Sequence, residues 1–485
     1  MIELIQLDPY ADTPLYRQLH LSLRNAIENG TLAEGSRLPA TRELAGQLGV
    51  NRATVSSAYE VLEAEGYLRG HVGRGSFVTR PSSPAAIPPA PIPLATPANE
   101  AAIRFDTSRP SELLFPLDDF RATVDEVIHS NEAAAILQLG SAYGYAPLRR
   151  YLLEDARASG EAGPDDDILI TNGCQQAFDL IQRVFASNGE TVLLEDPVYA
   201  GIRNVFQRGA ARVLGVPVTA DGLDVQAATR AIETHAPRLI LITPTFQNPT
   251  GATMPAAARQ ELLRVAHKAG VLVIENDLYA PLRYSGEPVS SIKKLAGQGT
   301  SADTILLRSF SKIAFPGLRV GWAIGPRHFI ARLAEAKQAS DLHTDQLSQA
   351  VVLRFAQSGR LDAHRKKALT AGSERLKATL DACAEFLPAG STATRPEGGM
   401  NVWVRLPDVL DAGELVARAE REGVSYLPGK YFAVGRVESN AFRLSFAGLA
   451  PEEIRRGLRV LGQLFGAELT RLRSTHRDEP AAALV

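Results

Sequence analysis

The chain has 485 residues, 45 % of them hydrophobic and 22 % charged, with a formal net charge of −2; that length exceeds one ordinary domain, so two or three soluble domains are expected. A nearly balanced charge excludes a protein that coats nucleic acid or membrane by bulk electrostatics, and any DNA binding must come from a local patch. Cys174 and Cys383 stand far apart with no CxxC or HxxxH partner, so neither a disulfide framework nor a metal site is readable, which suits a reducing cytoplasm.

The opening MIELIQLDPYAD places Glu3 and Asp8 where a signal peptide needs basic residues, and no apolar run approaches the roughly 18 residues of a membrane span. A soluble, cytoplasmic protein with no membrane partner is expected. In PLYRQLHLSLRNAIENG, Leu15, Leu19, Leu23, Ala26 and Ile27 fall on one helical face, and Gly30 supplies a stop. The stretch LPATRELAGQLGVNRATVSSAYEVLEAEG then predicts a short helix over about 41–48, a turn at Gly49, and a second helix through about Glu65 with Asn51 as its N-cap. Two short helices joined by a glycine turn make the helix-turn-helix layout. The second would bury Val55, Ala58, Tyr59 and Leu62 and leave Arg52, Thr54 and Ser56 facing a groove. YLRGHVGRGSFV alternates around glycines as a two-stranded wing does, with Arg74 near its tip.

Residues 1–80 hold eight arginines, no lysine and nine acids, yet from Ser36 to Arg80 arginines outnumber acids six to four, so the basic footprint is asymmetric. These stretches resemble the GntR-type winged helix across nearly all of residues 11–79. The resemblance implies DNA contact through Arg37, Arg42, Arg52, Thr54 and Arg74, with Arg42 on the first helix and Arg52 on the second.

Residues 81–102 form the clearest composition break, with seven prolines in seventeen positions, and read as a semi-rigid linker. They divide a DNA-binding domain over 1–80 from a larger domain over 103–470, followed by a tail over 471–485. In the larger part DILITNG, TVLLEDP, RLILITP, VLVIEND and TILLRSF are each followed by an amphipathic stretch, which is α/β order with a largely parallel sheet. In such sheets the loops leaving the carboxyl ends of the strands hold the ligand.

One of those loops, SFSKIAFPGLRVGW, carries Lys312. A lone lysine after a buried strand is ordinarily a surface residue, but a lysine in a dry cationic pocket is a nucleophile toward aldehydes. A phosphorylated aldehyde needs further groups, and each appears at a strand end. TNGCQQAF sets the N–H groups around Cys174 and Gln175 at a helix start, while Ser309 and Arg319 flank the lysine. Tyr199 offers a stacking ring, and Asn248 with Tyr279 can bond a ring oxygen.

From about Pro110 to about Leu464, with TFQNPTG and SFSKIAFPGLRVGW as its most specific stretches, the chain resembles fold type I pyridoxal phosphate (PLP) enzymes, the class I/II aminotransferases of the kynurenine and α-aminoadipate type. The resemblance implies that Lys312 forms the internal aldimine, that Cys174, Gln175, Ser309 and Arg319 bind phosphate with Ser311 assisting, and that Tyr199 stacks on the ring. It implies further that Asn248 and Tyr279 contact the ring oxygen and that Arg443 in AFRLSFAG grips a substrate or effector carboxylate. Three positions depart from the pattern. Cys174 stands where many relatives have serine. Leu139 stands where others have a tyrosine that reaches a partner subunit's phosphate, a contact either missing here or supplied by Tyr143. The acid expected three residues before the tyrosine falls on Asn276, with Asp277 next to it, and the sequence leaves open which of the two faces the pyridine nitrogen.

A winged helix joined by a long linker to an aminotransferase-like domain resembles, end to end, the MocR family of bacterial transcriptional regulators. The expected fold is therefore an N-terminal winged helix-turn-helix plus an α/β fold type I aminotransferase-like domain with a largely parallel central sheet. The resemblance implies a PLP-binding regulator of amino-acid, amine or vitamin B6 metabolism that binds a double-stranded DNA operator as a head-to-tail homodimer. It would sense an amino compound or PLP itself through the aldimine at Lys312. The alternative is a working PLP-dependent aminotransferase, with a lyase or racemase on the same cofactor as a third reading.

Overall fold

The structure is a computed structural model that describes Ile5, Leu7, Asp8 and residues 15–28, 30–64, 67–71, 75–79, 103–187, 189–209, 211–297 and 303–477. The chain separates into two compact units. One comprises residues 1–88 with 407–411 and 467–485, and the other comprises 89–406 with 412–466.

In the first unit three helices, Leu15–Glu28, Thr41–Leu48 and Arg52–Ala64, precede a hairpin of strands Leu68–His71 and Gly75–Val78. The apolar spacing read from the sequence becomes its core. Leu19, Leu23 and Ile27 of the first helix meet Leu44 of the second and Val55, Ala58, Tyr59 and Leu62 of the third, while Leu15 is only half-buried. The turn between the second and third helices depends on Gly49, whose φ of 66° is left-handed and favours a residue without a Cβ. Asn51 then opens the third helix, its Oδ1 accepting the Ala53 N–H at 3.0 Å, which satisfies a donor the helix itself cannot. The hairpin is antiparallel, with His71 opposite Gly75. Arg74 and the linker over 81–102 lie outside the described residues.

The second unit is built on an eight-stranded sheet. Its spatial order runs Asp166–Asn172, Val320–Pro326, Thr304–Ser309, Leu272–Asn276, Leu239–Ile242, Thr191–Asp196, Arg212–Thr219 and Gly222–Leu223. Val320–Pro326 is antiparallel to both neighbours and Gly222–Leu223 is antiparallel to Arg212–Thr219; the remaining pairs are parallel. The central strands are buried on both faces, which explains their unbroken runs such as LILI at 239–242. One face packs on the helix Gly173–Phe185 through Ala177, Phe178 and Ile181, and the other on the helix Ala256–Ala269 through Leu262, Leu263 and Ala266. Because two antiparallel pairings restore the original direction, Asp166–Asn172 and the central parallel strands all end on one edge of the sheet. A smaller antiparallel sheet, in the order Thr392–Ala393, Asn401–Arg405, Ala441–Ser445 and Leu427–Pro428, carries Arg443 on its third strand.

The closing helix runs from Pro451 to Arg477, into the stretch from 471 that the sequence reads as a tail. Its apolar residues Ile454, Leu458, Leu461, Phe465 and Leu469 are buried, and nothing in the sequence near 470 breaks the helix. Among the described residues no helix is long and apolar enough to cross a membrane.

Candidate functional site

The carboxyl ends of the strands surround a cleft of about 310 Å³. Its lining includes eleven of the twelve residues that the sequence assigns to cofactor and carboxylate binding: Cys174, Gln175, Tyr199, Asn248, Asn276, Tyr279, Ser309, Ser311, Lys312, Arg319 and Arg443. Arg443 comes from the smaller sheet. Asp277 is the exception, and its position follows from the period of two along an extended chain. Asn276 turns into the cleft, while the Oδ2 atom of Asp277 accepts from Arg308 at 2.8 Å on the other side. Arg308 also donates to both oxygens of Glu161, at 2.6 and 2.7 Å.

Lys312 sits in the single turn that follows strand Thr304–Ser309. Its Nζ donates to the Ser108 carbonyl at 2.7 Å and lies 5.7 Å from the centre of the Tyr279 ring. Among the described residues it is the one primary amine lining the cleft. Ser309 is pinned beside it: its hydroxyl accepts the Ser311 N–H at 3.0 Å and lies 2.9 Å from the Ser311 hydroxyl and 3.0 Å from the Val320 carbonyl.

Across the cleft the helix Gly173–Phe185 begins with no side chain capping it, so its first N–H groups can receive an anion. The Cys174 thiol is turned to the protein, its Sγ donating to the Arg308 carbonyl at 3.3 Å. Burial pushes this thiol up to about 12, so it stays neutral, and at this position the backbone N–H is the group free to meet an anion. Arg319 approaches so closely that a Cβ on Gly173 would stand 2.4 Å from its Nη2, and Gly173 itself has a φ of 71°. Only glycine allows the guanidinium to lie over the helix start.

Asn248 and Tyr279 meet in the cleft, the Asn248 Nδ2 donating to the Tyr279 hydroxyl at 3.3 Å. Arg443 is 3 % exposed, and burial holds its guanidinium below its ordinary value. It donates to Asn248 Oδ1 at 3.2 Å and to the Asp106 carbonyl, lies 5.1 Å from the Phe432 ring, and keeps its buried Nε without a partner. A buried cation held by neutral oxygens, with a donor to spare, is built to receive a carboxylate. A second spare atom is Asn276 Oδ1, also buried and unpartnered. Together with the glycine cradle at 173, these two atoms fit a phosphorylated ring aldehyde and an amino-acid adduct better than an empty core.

Sequence reasoning missed Asp106 and Ser108, whose backbone oxygens hold Arg443 and Lys312; RFDTS carries no side-chain signal for a backbone role. Leu139 is 75 % exposed, and Tyr143 lies outside its own chain's cleft with its ring 4.8 Å from Arg149.

In the first unit, Arg37, Arg42 and Arg52 are exposed and Thr54 is half-buried. Arg52 and Thr54 occupy the first turn of the third helix, where a recognition helix meets base edges. Arg37 bridges to Phe77 of the hairpin, and its Nε would stand 2.9 Å from a Cβ on Gly75, so it belongs to the wing side of this surface.

The family model for aminotransferase class I and II matches residues 115–461, and that for bacterial regulatory proteins, gntR family, matches residues 15–78. The chain is 36 % identical over 366 residues to aromatic-amino-acid aminotransferase 1 of Thermococcus litoralis, covering 74 % of this chain and 87 % of that protein. It is 28 % identical over 487 residues to the probable rhizopine catabolism regulatory protein MocR of Rhizobium meliloti, covering 95 % and 96 %. The crystal structure of kynurenine aminotransferase from Pyrococcus horikoshii superposes with a TM-score of 0.72 at 35 % identity, over 76 % of this chain and 91 % of that one.

Proposed function

The chain belongs to the class I and II aminotransferase family and carries a gntR-family regulatory domain ahead of it, as MocR-type transcriptional regulators do, and we propose that it binds PLP at Lys312 and regulates transcription in response to an amino compound. The observation that carries this reading is the buried Arg443 with its spare Nε, lining the same cleft as Lys312, the one primary amine there among the described residues. PLP, when bound, supplies an aldehyde that exchanges reversibly between amines. The chain's own residues do the rest. The helix start at Gly173, with Ser309 and Arg319, holds the phosphate; Tyr199 covers the ring; Asn248 and Tyr279 hold its oxygen; Arg443 takes an effector carboxylate.

Such an effector displaces Lys312 and engages Arg443, and so makes contacts that differ between the free and occupied states. Only a differential contact of this kind can bias a conformational equilibrium. A coupling of about 1–3 kcal/mol changes DNA affinity roughly 5- to 150-fold. The operator is double-stranded DNA read by Arg52 and Thr54, with Arg37, Arg42 and Arg74 on the backbone side. A head-to-tail homodimer is supported by exposed Leu113, Leu117, Leu137 and Leu139, apolar surface that a second copy would cover. A DNA-bound regulator of this family acts in the bacterial cytoplasm.

The test is the DNA affinity of the PLP-loaded protein, at one salt concentration, against a panel of amino acids and the matching decarboxylated amines. Amino acids are expected to shift affinity and the amines to do so far less. Arg443→Leu is expected to weaken the amino-acid response by about 1.5–3 kcal/mol, roughly 10- to 150-fold in the effector concentration required, because charge-assisted bonds of this kind are worth that much. An unchanged dose response in that variant removes Arg443 from the effector site.

A further inference from the structure

Asn276 stands three residues before Tyr279, at the end of strand Leu272–Asn276, and faces the cleft with a buried, unpartnered Oδ1. Its Nδ2 donates to the Thr243 hydroxyl at 3.0 Å. Behind Thr243 lies Glu195, whose Oε2 accepts the Thr243 N–H at 3.1 Å and the Gln247 amide at 3.2 Å. Each member of this chain can present a neutral partner. An amide turned by 180° exchanges donor for acceptor, and a hydroxyl serves in either role. Burial pushes the Glu195 carboxyl up to about 8, so it is mostly uncharged at neutral pH. The acids that could have served instead are occupied. Asp277 is paired with Arg308 on the far side of the strand, although its Oδ1 lacks a partner, and Asp106, the one carboxylate lining the cleft among the described residues, is paired with Arg104 at 2.8 Å.

On the reading that PLP occupies this cleft, we propose that Asn276 is its ring-nitrogen partner and, backed by Thr243, holds that nitrogen unprotonated, so that the chain binds amino compounds covalently through the cofactor without turning them over. The argument is electrostatic. Burial disfavours the charged form of any ring nitrogen. The one carboxylate lining the cleft among the described residues, Asp106, is paired with Arg104, so no free carboxylate stands beside Asn276 to favour a pyridinium. A neutral ring is a weak electron sink, which slows loss of the α-proton and leaves amine exchange untouched. A turned Asn276 donates its Nδ2–H to the neutral nitrogen and accepts the Thr243 hydroxyl on Oδ1, which pairs the atom now left bare.

The test is the 15N resonance of ring-labelled PLP bound to the full-length protein, read beside its visible absorbance, for the wild type and Asn276→Asp. The proposal expects a neutral-pyridine resonance in the wild type and a shift to the pyridinium position in Asn276→Asp, with pyridoxamine phosphate accumulating on addition of amino acid only in the variant. A pyridinium resonance in the wild type, with the lysine-bound absorbance present, overturns this proposal and leaves the PLP reading intact. Absence of that absorbance overturns the PLP reading and this proposal with it. The wild-type spectrum decides even where the variant fails to fold.

Discussion

Lys312→Ala is expected to abolish the response of DNA binding to amino compounds while leaving DNA binding itself in place. The expectation rests on geometry. Lys312 supplies the single primary amine among the described lining residues, anchored on the Ser108 carbonyl at 2.7 Å. Without it the cofactor has no covalent anchor, and an incoming amine has no protein amine to displace, so the two states that an effector would distinguish collapse into one. The predicted 5- to 150-fold change in affinity becomes no change. Lys312→Arg separates chemistry from charge: a guanidinium keeps the positive charge of the cleft but is no nucleophile, so the response is lost there too. The visible absorbance of lysine-bound PLP disappears in both variants. The helix Arg52–Ala64 and its hairpin draw their stability from their own core of Leu19, Leu23, Leu44, Val55 and Leu62, so basal DNA binding survives. Fluorescence anisotropy on a fixed operator, with and without amino acid, reads both halves; an intact response in Lys312→Ala refutes the covalent route.

Arg52→Ala is expected to remove sequence selectivity. Arg52 is exposed in the first turn of the third helix, one residue after the Asn51 cap that sets the helix start, so its position relative to a major groove is fixed by backbone rather than by a flexible loop. A bidentate arginine contact to a base is worth about 1–3 kcal/mol of discrimination, roughly 5- to 150-fold between operator and non-specific DNA. The loss falls on the operator and spares competitor DNA, because non-specific affinity comes from phosphate contacts. Competition titration of operator against random duplex at a stated salt concentration checks this. A uniform loss on both sequences would move Arg52 to the phosphate-contacting set.

Much of this was legible before any coordinates, and the reasons differ by element. The helix-turn-helix was readable because its signals are local: apolar spacing, a glycine that must be left-handed at 49 and a capping asparagine at 51. Most of the cleft was readable because Cys174, Tyr199, Asn276 and Ser309 lie at or just past the carboxyl ends of buried strands, and those ends gather on one edge of the sheet. The choice between Asn276 and Asp277 was not readable, since adjacent residues of a strand face opposite sides and only the pairing of Leu307 with Asn276 fixes which side meets the cleft. Ser108 and Asp106 were invisible because they act through backbone oxygens. Glu195 and Thr243 were invisible because the contact that joins them to Asn276 runs between separate strands and the residue just past a third. The final helix reaches into the stretch from 471 because no proline or glycine after Leu469 breaks it before Arg477.

The most direct test of the regulator reading is footprinting of the PLP-loaded protein on the DNA upstream of its own reading frame, at one salt concentration, with and without added amino acid. The account predicts discrete protected half-sites whose protection changes when the amino acid is present. Protection no stronger than on random DNA, together with sustained keto-acid production from the same amino acid, would contradict it and make the chain an enzyme.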